Sequence, residues 1–328
     1  MKNTFRTLLY LCFVLMLSNQ LFGAYSGTLD TLNFGNGKIL YAPAQENLAQ
    51  TSAEQILKTV REIQQMLDFT PQQPFLVVIA DNESVYHHFT GRSSPKWSAG
   101  ITDYTTGSIV LKSPKLGKTT LWDYDETLRH EIAHIVIGQN VNPIRLPRWL
   151  NEGLAMVIAG QHSMGQMYTL AQNVVHKNLI SLTDIEQLLH FSRDKASLGY
   201  AESQSAVQYI VKEFPENTLK HVLQKMHNSD LSWEKSFSEV TGLSQFYFEQ
   251  HWRAYLEHHY KWLSVVSSET WIWFLFPLLA ILAWLSIKWR NHRKMQQWQE
   301  EEDRWNKNSD WDFEYLPDED EKWRGDIH

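Results

Sequence analysis

The sequence predicts an α+β protein carrying one membrane-spanning helix, and three observations support that expectation. Short apolar runs bounded by Asn, Gly and Pro occupy the first third of the chain. Helical periodicity fills most of the remainder, and an uncharged segment rich in Leu, Ile, Phe and Trp stands near the C-terminus. Strands first and helices afterwards describe a small sheet with helices segregated from it. A run that is apolar on every side is rare in a soluble domain.

The chain has 328 residues, enough for one large domain or two ordinary ones. Its net charge of −7 is uneven: twelve acidic and four basic residues fall between Met295 and His328, leaving the remainder at +1. A near-neutral folded part without a basic stripe argues against nucleic acid as a partner. The single cysteine, Cys12, leaves no disulfide to form, so cysteine usage neither supports nor excludes an oxidising compartment.

Met1 to Ala24 reads as an export signal. Lys2 and Arg6 supply a basic start, Leu8 to Leu17 an apolar run, and Leu21-Phe22-Gly23-Ala24 small residues for cleavage. The alternative is an uncleaved anchor, for which the run is short. Residues 25–263 then read as the main domain. Asn36-Gly37, between two apolar stretches in Thr28 to Pro43, signals a hairpin. Ile56, Val60, Ile63 and Leu67 recur at helical spacing, with Ser52 as N-cap. Phe75 to Ala80 is a buried type of strand, Glu83 to Phe89 a short helix, and Gly107 to Leu111 another strand. The expectation is therefore three to four strands before the next helix. That helix runs from about Asp123, its cap, to Ile137, and Gly138 ends it. Pro143 and Pro147 punctuate a loop, and a second helix follows at Trp149 to Ala159. Helices are expected at Asp184 to Phe191, Ala201 to Phe214, Asn217 to His227 and Phe246 to Trp262, whereas Gln161 to Leu198 is poorly patterned.

The helix beginning near Asp123 carries His130-Glu131-Ile132-Ala133-His134. Residues four apart share a helix face, so both imidazoles can reach one metal ion, with Glu131 placed to take a proton from water. Two histidines leave a catalytic zinc one protein ligand short. Glu152 lies at the start of the next helix, which a tight loop would return alongside the first. The competing reading of Glu152 is an ordinary first-turn acid favoured by the helix dipole. His87-His88 and His258-His259 are adjacent pairs that point to different helix faces, and they read as surface or packing residues.

His130-Glu131-Ile132-Ala133-His134 followed by Trp149-Leu150-Asn151-Glu152-Gly153-Leu154-Ala155 resembles the gluzincin metallopeptidases, and more closely the bacterial peptidase MA-like domain proteins. The likeness extends over roughly Lys38 to Leu256. It implies a thermolysin-like catalytic domain in which His130, His134 and Glu152 bind Zn2+ and Glu131 is the general base. It also implies a tyrosine that hydrogen-bonds the oxyanion, for which Tyr200 is the candidate; a buried aromatic at a helix start is the alternative. The segment Ala99 to Leu111 would pair with an extended peptide or protein substrate. The Gly-rich stretch ending in Met-Glu-Asn that marks aminopeptidases is missing.

Trp271 to Ile287 carries no charge, has Trp near both ends, and is followed by Lys288, Arg290, Arg293 and Lys294. These features predict a span over residues 269–289, with the catalytic domain outside the cytoplasm and the C-terminus within it. Residues 290–328 would form an acidic, irregular cytoplasmic tail able to contact a partner, with a short helix near Met295 to Arg304. The competing function is a non-catalytic, membrane-tethered module that binds a protein and signals through that tail.

Overall fold

In a computed structural model of the protein, residues 28–91, 98–229, 231–267 and 270–308 are described, without the side chains of 261–274 and 308. The expected export signal at Met1 to Ala24 lies outside the described residues. Five strands, β1 (Asp30–Phe34), β2 (Gly37–Tyr41), β3 (Phe75–Ala80), β4 (Gly100–Asp103) and β5 (Ser108–Lys112), form one mixed sheet in the order β1-β2-β3-β5-β4. Strands β2, β3 and β5 run parallel, and an antiparallel partner closes each side. The sheet therefore has one strand more than the four expected at most, because β4 is short and weakly apolar.

Side-chain alternation explains why β3 reads as an unbroken apolar run. Val77 and Ile79 join the main core, while Val78 and Ala80 join a smaller one with Leu40, Val110, Val85 and Tyr86. Both faces of β3 are covered, so neither can be polar. The Asn36-Gly37 signal is displaced by one residue. Gly35 takes the positive φ of the turn, and Gly37 opens β2, where a Cβ would meet the Phe75 carbonyl.

Helix α1 (Glu46–Leu67) packs Ala49, Ile56, Ile63 and Leu67 against the sheet. It begins before Ser52, which is thus an internal residue and not the expected cap; its hydroxyl hydrogen-bonds Tyr124 Oη at 3.0 Å. Helix α2 (Glu83–Thr90) covers the opposite sheet face, and α3 (Pro114–Gly117) is a single turn after β5. Helix α4 (Leu121–Asn140) starts at a capping box formed by Thr120 and Asp123. It runs through Gly138, where the sequence predicts a stop. A Cβ at Gly138 would strike the ring of Tyr104, which lies across the helix there. The glycine serves close packing, not termination.

Pro147 leads into α5 (Arg148–Ala159), anchored by the fully buried Trp149 between Trp233 and Phe248. Then come α6 (Met164–Val175), a 3-10 turn at Asp184–His190, α7 (Arg193–Glu213), α8 (Thr218–Asn228), α9 (Trp233–Thr241) and α10 (Gln245–Ser267). Helices α6 and α9 were not individually legible, and α7 begins eight residues before the expected Ala201, so Tyr200 lies inside it. Helix α5 crosses α7 backbone to backbone at Gly153, where a Cβ would collide with the Ser203 carbonyl. This crossing brings the second turn of α7 over the start of α5.

The chain divides into two compact units, Met1–Leu263 and Ser264–His328. The second contains α11 (Thr270–Asn308). The expected transmembrane helix is not found: among the described residues no helix is long and apolar enough to cross a membrane. Pro277 lies inside α11, and Lys288 and Arg290 follow its uncharged stretch. The fold class is corrected to an α+β domain with no such span among the described residues. The single-pass membrane localisation, with its extracytoplasmic placement, falls with it, and the cytoplasmic tail partner is left without support. The acidic segment after Met295 is helical to Asn308, and residues 309–328 lie outside the described set.

Candidate metal centre

Helix α4 places His130 and His134 one turn apart, rings edge to face with centroids 4.6 Å apart. Their Nε2 atoms converge to 3.0 Å. Glu152, in the second turn of α5, points its Oε2 at the same place, 3.6 Å from each Nε2. Two donors about 2.0–2.1 Å from one ion, at the tetrahedral angle, stand about 3.3–3.4 Å apart. The three observed edges bracket that spacing. Among the described residues these three form the group able to hold a metal, their donor atoms all within 4.8 Å of one another. Nitrogen and carboxylate donors in this number suit zinc with one position left open.

The electrostatics favour a cation at the same point. Burial opposes charge on His134, yet its hydrogen bond to Glu152 and the carboxylates of Glu152 and Glu131 push its pKa up to about 9. Burial alone would likewise raise Glu152, but its two imidazole partners hold it well below the usual carboxylate range. A buried carboxylate kept ionised beside two ring nitrogens calls for positive charge between them.

The surrounding residues orient this donor set. His134 Nδ1 donates to Asn151 Oδ1 at 3.1 Å, which leaves the Nε2 lone pair directed at the centre. Asn151 Nδ2 in turn donates to Tyr104 Oη at 3.0 Å, and the Tyr104 ring stands edge-on to His134. His130 Nδ1 is buried and has no hydrogen-bond partner among the described residues, so only one of the two imidazoles is oriented by a neighbour.

Glu131, adjacent to His130 on α4, is buried beneath β4. Thr102 Oγ1 donates to its Oε2, and a Cβ at Gly100 would stand 3.0 Å from its Oε1. Gly100 and Thr102 share one face of the strand, because alternate residues do. Strand β4 is the sheet's edge, so the strand that the sequence marks for pairing with substrate is the one beside Glu131. Tyr200, on α7, is half-buried. Burial raises its hydroxyl pKa, and the charges of Glu152 and Glu131 raise it further, which shows its nearness to the centre.

The structure thus brings together His130, Glu131, His134 and Glu152, with Tyr200 within electrostatic reach. Sequence reading missed Thr102, Tyr104 and Arg148, whose Nη1 lies 3.9 Å from Glu152 Oε1. Of these, only Arg148 had a legible signal, being one helical turn before Glu152. His87 pairs with Glu83 at 3.5 Å, and His259 stacks on Tyr255, so neither histidine pair enters the centre.

A small mixed sheet, two packed motif helices and a His2Glu cluster beside a buried carboxylate are the features that set the class of this domain. The chain belongs to the Peptidase MA superfamily, whose model matches residues 59–258. That membership gives the chain a peptidase-type domain. A similar solved structure is that of yeast LTA4 hydrolase in complex with bestatin, 16% identical, covering 75% of this chain and 39% of that one, with a TM-score of 0.43. This chain thus spans well under half of that protein's length. No curated protein matches the chain.

Proposed function

We propose that the protein is a zinc-dependent metallopeptidase in which His130, His134 and Glu152 hold Zn2+ and Glu131 is the general base. The observation that carries this reading is the triangle of donor atoms at 3.0, 3.6 and 3.6 Å, next to a buried carboxylate. Zinc, when bound, lowers the pKa of water towards 7 and polarises the scissile carbonyl.

The residues of the chain do the rest. Thr102 occupies Glu131 Oε2 and leaves Oε1 to accept the proton of the attacking water. Gly100 keeps space beside that oxygen, since any side chain would crowd it. The same carboxyl then returns its proton to the leaving amine. Tyr200 stays protonated because its pKa is raised, so it can donate a hydrogen bond to the carbonyl oxygen as negative charge develops. The outer backbone of β4 offers its N–H and C=O groups to an extended peptide.

The test is zinc content together with cleavage of a broad peptide library by wild type and Glu131→Gln. The expected result is one zinc per chain in both proteins, with cleavage reduced at least about 1000-fold by the substitution. Stoichiometric zinc without cleavage sensitive to Glu131→Gln would sink the catalytic assignment. Absence of zinc would sink the ligand assignment.

A further inference from the structure

Arg148, the first residue of α5, is the charged group of the site that the chemistry above leaves unused. One turn before Glu152, it brings Nη1 to 3.9 Å from Glu152 Oε1. Its side chain is one-third exposed (33%), and its Nε is buried without a hydrogen-bond partner among the described residues. Glu186, the other nearby acid, spends Oε1 on the Arg148 backbone N–H at 2.6 Å. A guanidinium carries five N–H donors in a planar fork that matches a carboxylate. Here those donors meet one long ion pair. Glu152 is not free to serve Arg148 alone, since its Oε2 faces both imidazoles. Two positive charges held by the ligand set would be balanced by Glu152 and Glu131, and the Arg148 guanidinium makes no close ion pair with Glu186 among the described contacts, so most of its donors stay open to a ligand.

The direction of the contact matters. Glu152 turns Oε2 to the histidines and Oε1 to Arg148, so the guanidinium lies on the far side of the Glu152 carboxylate from the reacting centre, 3.9 Å past its Oε1. That is too far for the carbonyl being attacked. It is within reach of a group on a neighbouring residue, because an extended peptide advances about 3.3 Å per residue. The geometry points to Arg148 as a specificity residue that clamps a carboxylate of the peptide substrate within about two residues of the cleaved bond. The carboxylate can be an Asp or Glu side chain or a free C-terminus.

This inference rests on the metallopeptidase reading and deepens it to a substrate class. The test reads binding, so its failure is separable from failure of catalysis. Zinc-loaded full-length Glu131→Gln protein is incubated with randomised dodecapeptides, half with free and half with amidated C-termini, and bound peptides are recovered and sequenced. Acidic residues at one position, or free over amidated termini, should be enriched about tenfold. Which of the two is enriched identifies the source of the carboxylate. Adding Arg148→Gln should abolish the enrichment. Where that change lowers zinc content, Arg148→Lys, which keeps the charge but not the fork, should reduce it at least about threefold. No carboxylate enrichment, enrichment that survives both substitutions, or no bound peptide overturns the proposal. Whether protein retaining Glu131 cuts the recovered peptides judges the catalytic reading separately.

Discussion

At the scale of single residues, the site is held as much by neutral neighbours as by its charged members. Asn151 is the clearest case. Its Oδ1 accepts from His134 Nδ1, which selects the tautomer whose Nε2 can coordinate. Asn151→Ala should weaken zinc binding about 10- to 100-fold, measured by competition with a chromogenic chelator; an affinity within twofold of wild type would show that the tautomer needs no such partner. Thr102 plays the matching part for Glu131. Motif spacing exposed the ligands and the base, because HExxH states a geometry directly. It could not expose Thr102 or Tyr104, because each acts from a hairpin remote in sequence, and nothing local to Thr102-Asp103-Tyr104 encodes the contact.

At the scale of elements, the crossing of α5 and α7 sets the placement of Glu152 and Tyr200. Gly153 permits it, since the Ser203 carbonyl occupies the volume a side chain would need. Gly153→Ala should destabilise the protein by about 1–3 kcal/mol through overpacking, despite the better helix propensity of Ala. Urea melts give the value, and a stabilised variant would contradict this packing. Helix α7 also buries Glu202, which accepts from the Ile180 N–H at 2.9 Å. Burial pushes its pKa up to about 8; the Ile180 contact and Arg253 oppose the rise, and Glu249 adds to it. A carboxyl with a raised folded-state pKa contributes stability that is complete below its unfolded value of about 4.5 and is lost as pH rises through about 8. Glu202→Gln should therefore flatten the fall in melting temperature between pH 5 and 9, while an unchanged slope would mean that other groups control it. The sequence signalled α5 and α8 well, because caps and prolines bound them. It missed α6 and α9, because α6 lies in a polar, weakly periodic stretch and α9 spans barely two turns with Trp233 and Phe237 as its main apolar anchors, and it shortened α7, whose first turns are polar.

At the scale of the whole molecule, sheet before helices was legible because strand and helix periods differ plainly along the chain. The count of strands was not, since edge strands such as β4 need few apolar residues. The expected membrane span failed for a related reason. A composition rich in Leu, Ile and Trp is shared by membrane spans and by other apolar helices, and among the described residues no helix is long and apolar enough to cross a bilayer. The boundary between the two compact units falls after Leu263, and among the described side chains the last buried one before it is Leu256. Truncation after Leu263 keeps every described core side chain of the first unit, so it should leave the melting temperature within about 2 °C of the intact protein. A larger drop in calorimetry would show that the second unit stabilises the first.

Gly100 and Thr102 attend Glu131 while Ile101, between them, packs into the smaller core on the opposite sheet face. Slipping β4 by one residue against β5 would exchange those faces and set an isoleucine against the carboxylate. Activity is therefore coupled to the length of the turn between Asp103 and Ser108. One residue inserted there would silence the protein without touching a ligand, which makes that turn a natural place to install a peptide-responsive or protease-cleavable control.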